Sequence, residues 1–131
     1  MAQATGPVLV VDDDADSRGF LELIVGTLGF DVLTAADGAQ ALELAREHRP
    51  SLILLDVMMP VCDGFSFREA QLRTPELADI PVILISALPE SQILRLRLNG
   101  AAAIGKPINI EELKMHVVAI CAPHGDEARR D

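Results

Sequence analysis

The stretch Ser51-Leu52-Ile53-Leu54-Leu55-Asp56-Val57-Met58-Met59-Pro60 decides the fold. It begins with a continuous apolar run that is too short for a typical helix. Pro50 precedes the run and a loop containing Pro and Gly follows it, a pattern that predicts a strand buried on both faces. Such a strand needs helices on both sides and therefore belongs to a parallel α/β sheet. The run ends on Asp56, and ligands of open parallel sheets bind outside the carboxyl ends of the strands. Taken alone, Asp56 is more typical of an aspartate that begins a turn than of a binding site.

The composition indicates one domain with an aliphatic core. Hydrophobic residues make up 50% of the 131 positions and aromatic residues 3%, with no Trp and no Tyr. No apolar run approaches the roughly 18 residues of a membrane helix, and residues 1–7 lack the basic start and apolar core of a secretion signal. We therefore expect a cytoplasmic protein. The formal net charge is −9, and the scattered Lys and Arg residues argue against nucleic-acid binding, which needs a clustered basic face.

The pattern alternates strand and helix five times. The predicted strands cover 7–11, 31–36, 52–56, 80–86 and 101–105. The first helix runs from a cap at Asp14 or Asp16 to a stop at Gly29, and the others cover 37–48, 65–73, 89–99 and 110–122. Right-handed crossovers between parallel strands give a doubly wound sheet with helices on both faces.

Two predicted helices show informative apolar patterns. The first helix carries five residues at helical spacing: Phe20, Leu23, Ile24, Thr27 and Leu28. The last helix has a core stripe formed by Ile110, Leu113, Val117, Ile120 and Cys121. Met115, Val118, Ala119 and Ala122 form what we call the second arc, on roughly the opposite side. The second arc is compatible with scattered surface apolar residues or with a contact face shared with the helix over 89–99.

Polar residues stand where four of the five predicted strands end. They are Asp12 and Asp13, Asp56, Ser86, and Lys106. Three clustered carboxylates repel one another, and each pair costs about 4 kcal/mol at about 4 Å and an effective dielectric constant near 20. A fold keeps such a cluster if a hard divalent cation binds it or if one acid stays protonated. Mg²⁺ fits, because it takes carboxylate and phosphate oxygens. With a lysine and a hydroxyl, the set predicts phosphoryl transfer to a carboxylate nucleophile.

These residues carry a family resemblance over Val8 to about Cys121. The sequence resembles the receiver domain of bacterial two-component response regulators. The matching motifs, in order, are Val10-Val11-Asp12-Asp13-Asp14, Leu54-Leu55-Asp56-Val57-Met58-Met59-Pro60 with Asp63-Gly64, Ser86-Ala87, and Lys106-Pro107. The resemblance implies a five-stranded doubly wound parallel sheet of the (βα)5 flavodoxin-like type, with strand order 2-1-3-4-5. It divides the chain into a tail over 1–7, a receiver domain over 8–122 and a polar tail over 123–131.

The resemblance also implies a role for each motif residue. Asp56 is then the phosphoacceptor, and its donor is a histidine kinase or histidine phosphotransfer protein. Asp13, Asp56 and the backbone carbonyl of Met58 bind Mg²⁺, and Asp12 supports the metal largely through water. The hydroxyl of Ser86, next to Ala87 in the switch segment, turns toward the phosphoryl group. Lys106 pairs with a phosphoryl oxygen, and a cis bond to Pro107 follows it.

The sequence departs from the family pattern in the signalling segment. The stretch from Ser86 to Lys106 is about two residues shorter than expected, and Ala103 and Ile104 occupy the region where a switching Tyr or Phe usually lies. We expect output through the face of the fourth helix, fifth strand and fifth helix, by a partner or a second copy. The alternative functions are a small Mg²⁺-dependent aspartyl-phosphate phosphatase, which usually has an acid at the position of Met58, and a receiver fold that only docks. The function that the resemblance implies is that of a phosphorylatable receiver, a signalling domain whose only chemistry acts on itself.

Overall fold

A computed structural model of the chain describes residues 6–56, 64–86 and 102–121, without the side chains of 64–66 and 86. Five strands in these ranges form one parallel sheet in the order β2-β1-β3-β4-β5. The strands are β1 (Val8–Val11), β2 (Val32–Ala35), β3 (Leu52–Asp56), β4 (Val82–Ser86) and β5 (Ala102–Gly105). The predicted α/β class and strand order are confirmed. The predicted helix over 89–99 lies outside the described residues.

Five helices accompany the sheet within the described ranges. They are α1 (Ala15–Gly26), α2 (Gly38–His48), α3 (Gly64–Arg73), α4 (Pro75–Ala78) and α5 (Ile110–Cys121). Three of them begin with the cap that a short polar side chain provides. Asp14 accepts from the main-chain N–H of Ser17, Asp37 from that of Gln40, and Asn109 from that of Glu112. Of the two predicted caps for α1, Asp14 is therefore the one used.

The sheet separates two apolar layers, because alternate residues of a strand point to opposite faces. Leu9, Val11, Ile53 and Leu55 pack with side chains of α2, α3 and α4 on one face. Val8, Val10, Leu52 and Leu54 pack with α1 and α5 on the other. All residues of β1 and β3 are buried, as predicted for a strand covered on both sides. The two strands that lead into Asp12 and Asp56 are thus fixed by packing on both faces.

The predicted register of α1 is wrong in part. Leu23 is 67% exposed and Phe20 is also exposed, whereas Leu21, Ile24 and Val25 are buried. The sequence of α1 offers two overlapping apolar arcs, and the sheet covers the one that includes Leu21. The helix also ends earlier than expected, at Gly26. A turn then leads to Gly29, which has the predicted left-handed conformation with a φ of 95°.

The helix α5 has the predicted core stripe in its main features. Leu113, Val117 and Cys121 are buried, while Ile110 at the start of the helix is exposed. In the second arc, Met115 is 67% exposed and Val118 is 44% exposed. These two side chains therefore lie on the solvent side of the chain, as predicted.

The sequence pattern predicts only the end of α3 at Pro75, whereas the structure has a short helix, α4, that begins there. A proline is equally suited to the first turn of a new helix. A buried hydrogen-bond network joins α3 to this segment. Arg68 donates to Gln71 Oε1 at 2.6 Å, and Gln71 Nε2 donates to the carbonyls of Leu77 at 2.8 Å and Ile80 at 3.1 Å. Arg68 and Gln71 are both buried.

Among the helices of residues 6–56, 64–86 and 102–121, none combines the length and the apolar composition that crossing a membrane requires.

Candidate functional site

The structure brings three predicted acids together at the carboxyl edge of the sheet. Asp12, Asp13 and Asp56 each offer a carboxylate oxygen, and these oxygens all lie within 4.8 Å of one another. We call this group the acid cluster. Its geometry follows from the register, because Val11 of β1 pairs with Leu55 of β3, so that the next residue of each strand emerges at the same level. Parallel pairing of adjacent strands thus converts two distant sequence motifs into one site.

The three acids differ in their surroundings. Asp12 is 1% exposed and Asp56 is 3% exposed, whereas Asp13 is exposed. The side chain of Asp12 is fixed by a hydrogen bond of 2.9 Å from the main-chain N–H of Asp14 to its Oδ1. The neighbouring Asp14 turns away to cap α1, and the hydrogen bonds it accepts from Ser17 hold the pKa of its carboxyl below the usual range. Asp14 therefore serves the helix, and the other three acids form the cluster.

Burial makes the ionised form of Asp12 unfavourable. The pKa of this carboxyl is raised from 3.8 to about 6, and burial is the largest cause. The negative charge of Asp56 also acts to raise the pKa, whereas the hydrogen bond from the Asp14 N–H and the positive charge of Lys106 act to lower it. The metal-free cluster consequently holds at neutral pH a buried carboxylate that would be stabilised by a proton or by a cation.

Lys106 supplies a positive charge at the same edge. Its Nζ lies 3.1 Å from Oδ2 of Asp56, and the Lys106 side chain is 33% exposed. Lys106 directly follows β5, and β4 separates β5 from β3 in the sheet, so the long lysine stem spans the end of β4. The peptide bond between Lys106 and Pro107 is cis. Because one end of the ion pair is open to solvent, an anion that approaches Asp56 can also reach the ammonium group.

Three further predicted site residues lie partly or wholly outside the described structure. The main chain of Ser86 is the last residue of β4 and pairs with Gly105, which places it at the same edge as Asp56. Its side chain is not described, and Met58 and Ala87 fall in ranges outside the described residues. The roles of the Ser86 hydroxyl and of the Met58 carbonyl therefore remain predictions.

One contact at the site was missed by the sequence analysis. Nη1 of Arg18, on α1, donates a hydrogen bond of 2.8 Å to the main-chain carbonyl of Asp12. A side-chain bond to a backbone oxygen six residues earlier leaves no periodic or charge signal in the sequence. An arginine in the first turn of a helix is nevertheless unusual, because a cation is unfavourable near the positive end of the helix dipole.

Comparisons with known proteins agree with the fold and identify the family. The family model for the response regulator receiver domain matches residues 8–118. The transcriptional regulatory protein PrrA of Mycobacterium tuberculosis is 41% identical over 123 residues, which cover 92% of this chain and 52% of that protein. The probable transcriptional regulator ycf27 of Porphyridium aerugineum is 36% identical over 115 residues, covering 86% of this chain and 47% of that protein. The chain thus spans about half the length of these curated relatives.

Solved structures show the same fold over nearly their whole length. The chemotaxis protein CheY4 of Vibrio cholerae superposes with a TM-score of 0.81 at 28% identity, covering 88% of this chain and 98% of that chain. The receiver domain of the Francisella response regulator 1452 superposes with a TM-score of 0.78 at 32% identity, covering 88% and 95%. The solved receiver structures therefore share the fold of this chain over most of its length.

Proposed function

Because this chain belongs to the response regulator receiver family of two-component systems, we propose that it accepts a phosphoryl group on Asp56. The observation that carries the proposal is the arrangement around this carboxylate. Asp56 ends the central strand β3, lies in the acid cluster, and pairs with Lys106 at 3.1 Å. Lys106 supplies a positive charge for an incoming phosphoryl group, and the acid cluster supplies the oxygen ligands of a divalent cation that would offset its negative charge.

The proposed reaction needs no general base, because the nucleophile is already an anion. An oxygen of Asp56 attacks the phosphorus of a phosphohistidine, and an O–P bond forms while the N–P bond to the imidazole breaks. The electron pair of that bond stays with the imidazole nitrogen, and the product on this chain is an aspartyl-phosphate. Lys106 is close enough to follow the charge from the carboxylate to a phosphoryl oxygen. Ser86 would add a hydroxyl donor from the end of β4.

The acid cluster fits a Mg²⁺ ion. All three donors are carboxylate oxygens, the type of ligand that this hard cation prefers. The raised pKa of Asp12 indicates that the cluster without a cation is electrostatically unfavourable. Asp13 and Asp56 would hold the ion together with the Met58 carbonyl, and Asp12 would act largely through water. When bound, Mg²⁺ would neutralise charge on the transferring phosphoryl group.

We further propose that the donor is a histidine kinase or histidine phosphotransfer protein, and that the chain has no substrate other than its own Asp56. The family membership supports this assignment, and nothing in the described residues favours the alternative of a phosphatase acting on other molecules. The predicted cytoplasmic location remains a prediction.

For output, we propose that the second arc of α5 contacts a partner or a second copy of the chain. Met115 and Val118 are large apolar side chains that the fold leaves exposed. Ala103 and Ile104 occupy the region where the family usually has its switching aromatic. Ile104 is buried in the apolar layer with α1 and α5, and Ala103 packs against the opposite layer. Movement of Ser86 and the segment after it would then have to alter the second arc of α5 without the rotation of a Tyr or Phe side chain.

The phosphorylation test compares Asp56→Asn with Asp79→Asn, which removes an exposed acid at the end of α4. With acetyl phosphate and Mg²⁺, wild type and Asp79→Asn should each gain one alkali-labile phosphoryl group by intact-protein mass spectrometry. Asp56→Asn should gain none, and a chelator should prevent labelling of the wild type. Labelling of Asp56→Asn at the wild-type level would refute the assignment.

A further inference from the structure

The guanidinium of Arg18 bonds the main chain of the loop that carries two of the three acids. Arg18 lies on α1, and its Nη1 donates a hydrogen bond of 2.8 Å to the main-chain carbonyl of Asp12. The bond runs back over six residues and closes the connection between β1 and α1 into a ring. Asp13 belongs to the stretch of chain between the two bonded residues. The contact between Arg18 and Asp12 is therefore one of the bonds that fix the main chain next to Asp13.

The partners of Asp12 show why this contact matters. The main-chain N–H of Asp12 bonds the carbonyl of Ala35 on β2, and its Oδ1 accepts from the N–H of Asp14. Its carbonyl, one residue beyond the end of β1, is the group that Arg18 takes. Asp13, by contrast, is exposed. Arg18 thus anchors the main chain of the residue that directly precedes Asp13.

The contact of Arg18 with Asp12 fixes a main-chain position and does not neutralise a charged group, because its acceptor is a carbonyl oxygen. The cation that acts on the pKa of Asp12 is Lys106, and Arg18 bonds a neutral carbonyl instead. A cation in the first turn of α1 is also disfavoured by the helix dipole. The hydrogen bond to Asp12 gives this unfavourable placement a structural reason.

From this geometry we propose that Arg18 is a positioning residue for Mg²⁺ binding, which holds the loop between β1 and α1 so that Asp13 and Asp56 face the same ion. The inference rests on the proposed function. The direction in which Mg²⁺ affinity changes when Arg18 is removed distinguishes a positioning role from an effect of its charge. If Arg18 acted only as a nearby positive charge, its removal would tighten binding of a cation. If it positions the ligands, its removal weakens binding.

The test measures the Kd of MgCl2 by calorimetric titration of the unphosphorylated protein at constant ionic strength. In Arg18→Met, which keeps an unbranched stem but removes the donor, we expect the Kd to rise about tenfold, which corresponds to about 1.4 kcal/mol. Arg46→Met, which removes an exposed arginine from α2, is the charge-matched control and should leave the Kd unchanged. The Mg²⁺ concentration that half-saturates phosphorylation by acetyl phosphate should rise by the same factor as the Kd.

The outcomes separate the two proposals. If the wild type binds Mg²⁺ and is phosphorylated on Asp56, but Arg18→Met binds Mg²⁺ as tightly as the wild type or more tightly, the positioning role is refuted. If the wild type itself takes neither Mg²⁺ nor phosphate, the proposed function fails. Should Arg18→Met not fold, Arg18→Lys decides the question, because the shorter donor should weaken binding while the charge is kept. Wild-type affinity in Arg18→Lys would then overturn the proposal.

Discussion

Replacing Gln71 with Met would test whether the buried network between α3 and β4 supports the fold. Gln71 is fully buried and makes three hydrogen bonds through one amide. Its Oε1 accepts from Arg68 at 2.6 Å, and its Nε2 donates to the carbonyls of Leu77 and Ile80. Methionine has a similar length and fills similar space, so that the substitution removes the polar contacts with little change in packing.

The expected loss can be estimated from these contacts. A neutral hydrogen bond contributes about 1 kcal/mol net, and one with a charged partner contributes about 1.5–3 kcal/mol. Two bonds of the first kind and one of the second give about 4 kcal/mol, from which the apolar burial of the methionine side chain subtracts a part. We therefore expect the free energy of unfolding to fall by about 3 kcal/mol. For a domain of this size, the corresponding fall in Tm is about 10 °C.

The measurement is unfolding in urea, monitored by circular dichroism. The free energy of unfolding and its slope with urea concentration are compared between the variants. Gln40→Met is the matched control, because Gln40 is exposed and its Oε1 accepts one hydrogen bond, from the Ala36 N–H. It should cost less than about 1 kcal/mol, since exposed groups exchange such bonds with water. If Gln71→Met costs no more than Gln40→Met, the network does not stabilise the segment that leads into β4. At a temperature where it is folded, Gln71→Met should still be phosphorylated on Asp56.

Two further predictions follow from burial at the site and on α5. The combined substitution Met115→Glu and Val118→Lys should leave Tm and Asp56 phosphorylation nearly unchanged, because both side chains are exposed, while self-association or partner binding weakens in analytical ultracentrifugation; a large loss of Tm would show that the second arc is core. In a chelator at pH 7.5, Asp12→Asn should be more stable to urea than the wild type by up to about 3 kcal/mol, because the pKa of Asp12 is raised from 3.8 to about 6. The stability from protonated Asp12 is fully present below pH 3.8 and is lost as the pH rises through about 6, so the difference should vanish near pH 4; equal stability at pH 7.5 would contradict it.

The parts of the site that the sequence predicts are those set by strand geometry. Asp56 follows a buried apolar run and Asp12 follows another, and parallel pairing of those runs leaves the two acids side by side. Lys106 could be predicted for the same reason, since it directly follows β5 at the edge of the same parallel sheet. These residues could be predicted because the periodicity of a buried parallel strand determines where its last residue emerges.

The parts that the sequence does not predict depend on rotation and on side-chain reach. The residues of α1 fit two arcs, and only packing against β1 and α5 selects the one with Leu21 and Val25 over the one with Phe20 and Leu23. Arg18 and Gln71 act through bonds to main-chain carbonyls, whose positions are known only once the chain is folded. Local pattern thus locates the strands, whereas the contacts that hold the loops require coordinates.

The unequal exposure of the three acids indicates how the proposed reaction would proceed. Asp12 and Asp56 are buried, whereas Asp13 and part of the Lys106 side chain are exposed. The Lys106 ammonium group lies 3.1 Å from Oδ2 of Asp56, where its charge would attract the phosphate of an incoming donor. Burial keeps the proposed nucleophile in place while this cation stays accessible to solvent. If Asp13 binds Mg²⁺ and Asp56 accepts the phosphoryl group, as proposed, the contact of Arg18 with Asp12 lies where a small shift of the loop between β1 and α1 would move the one away from the other.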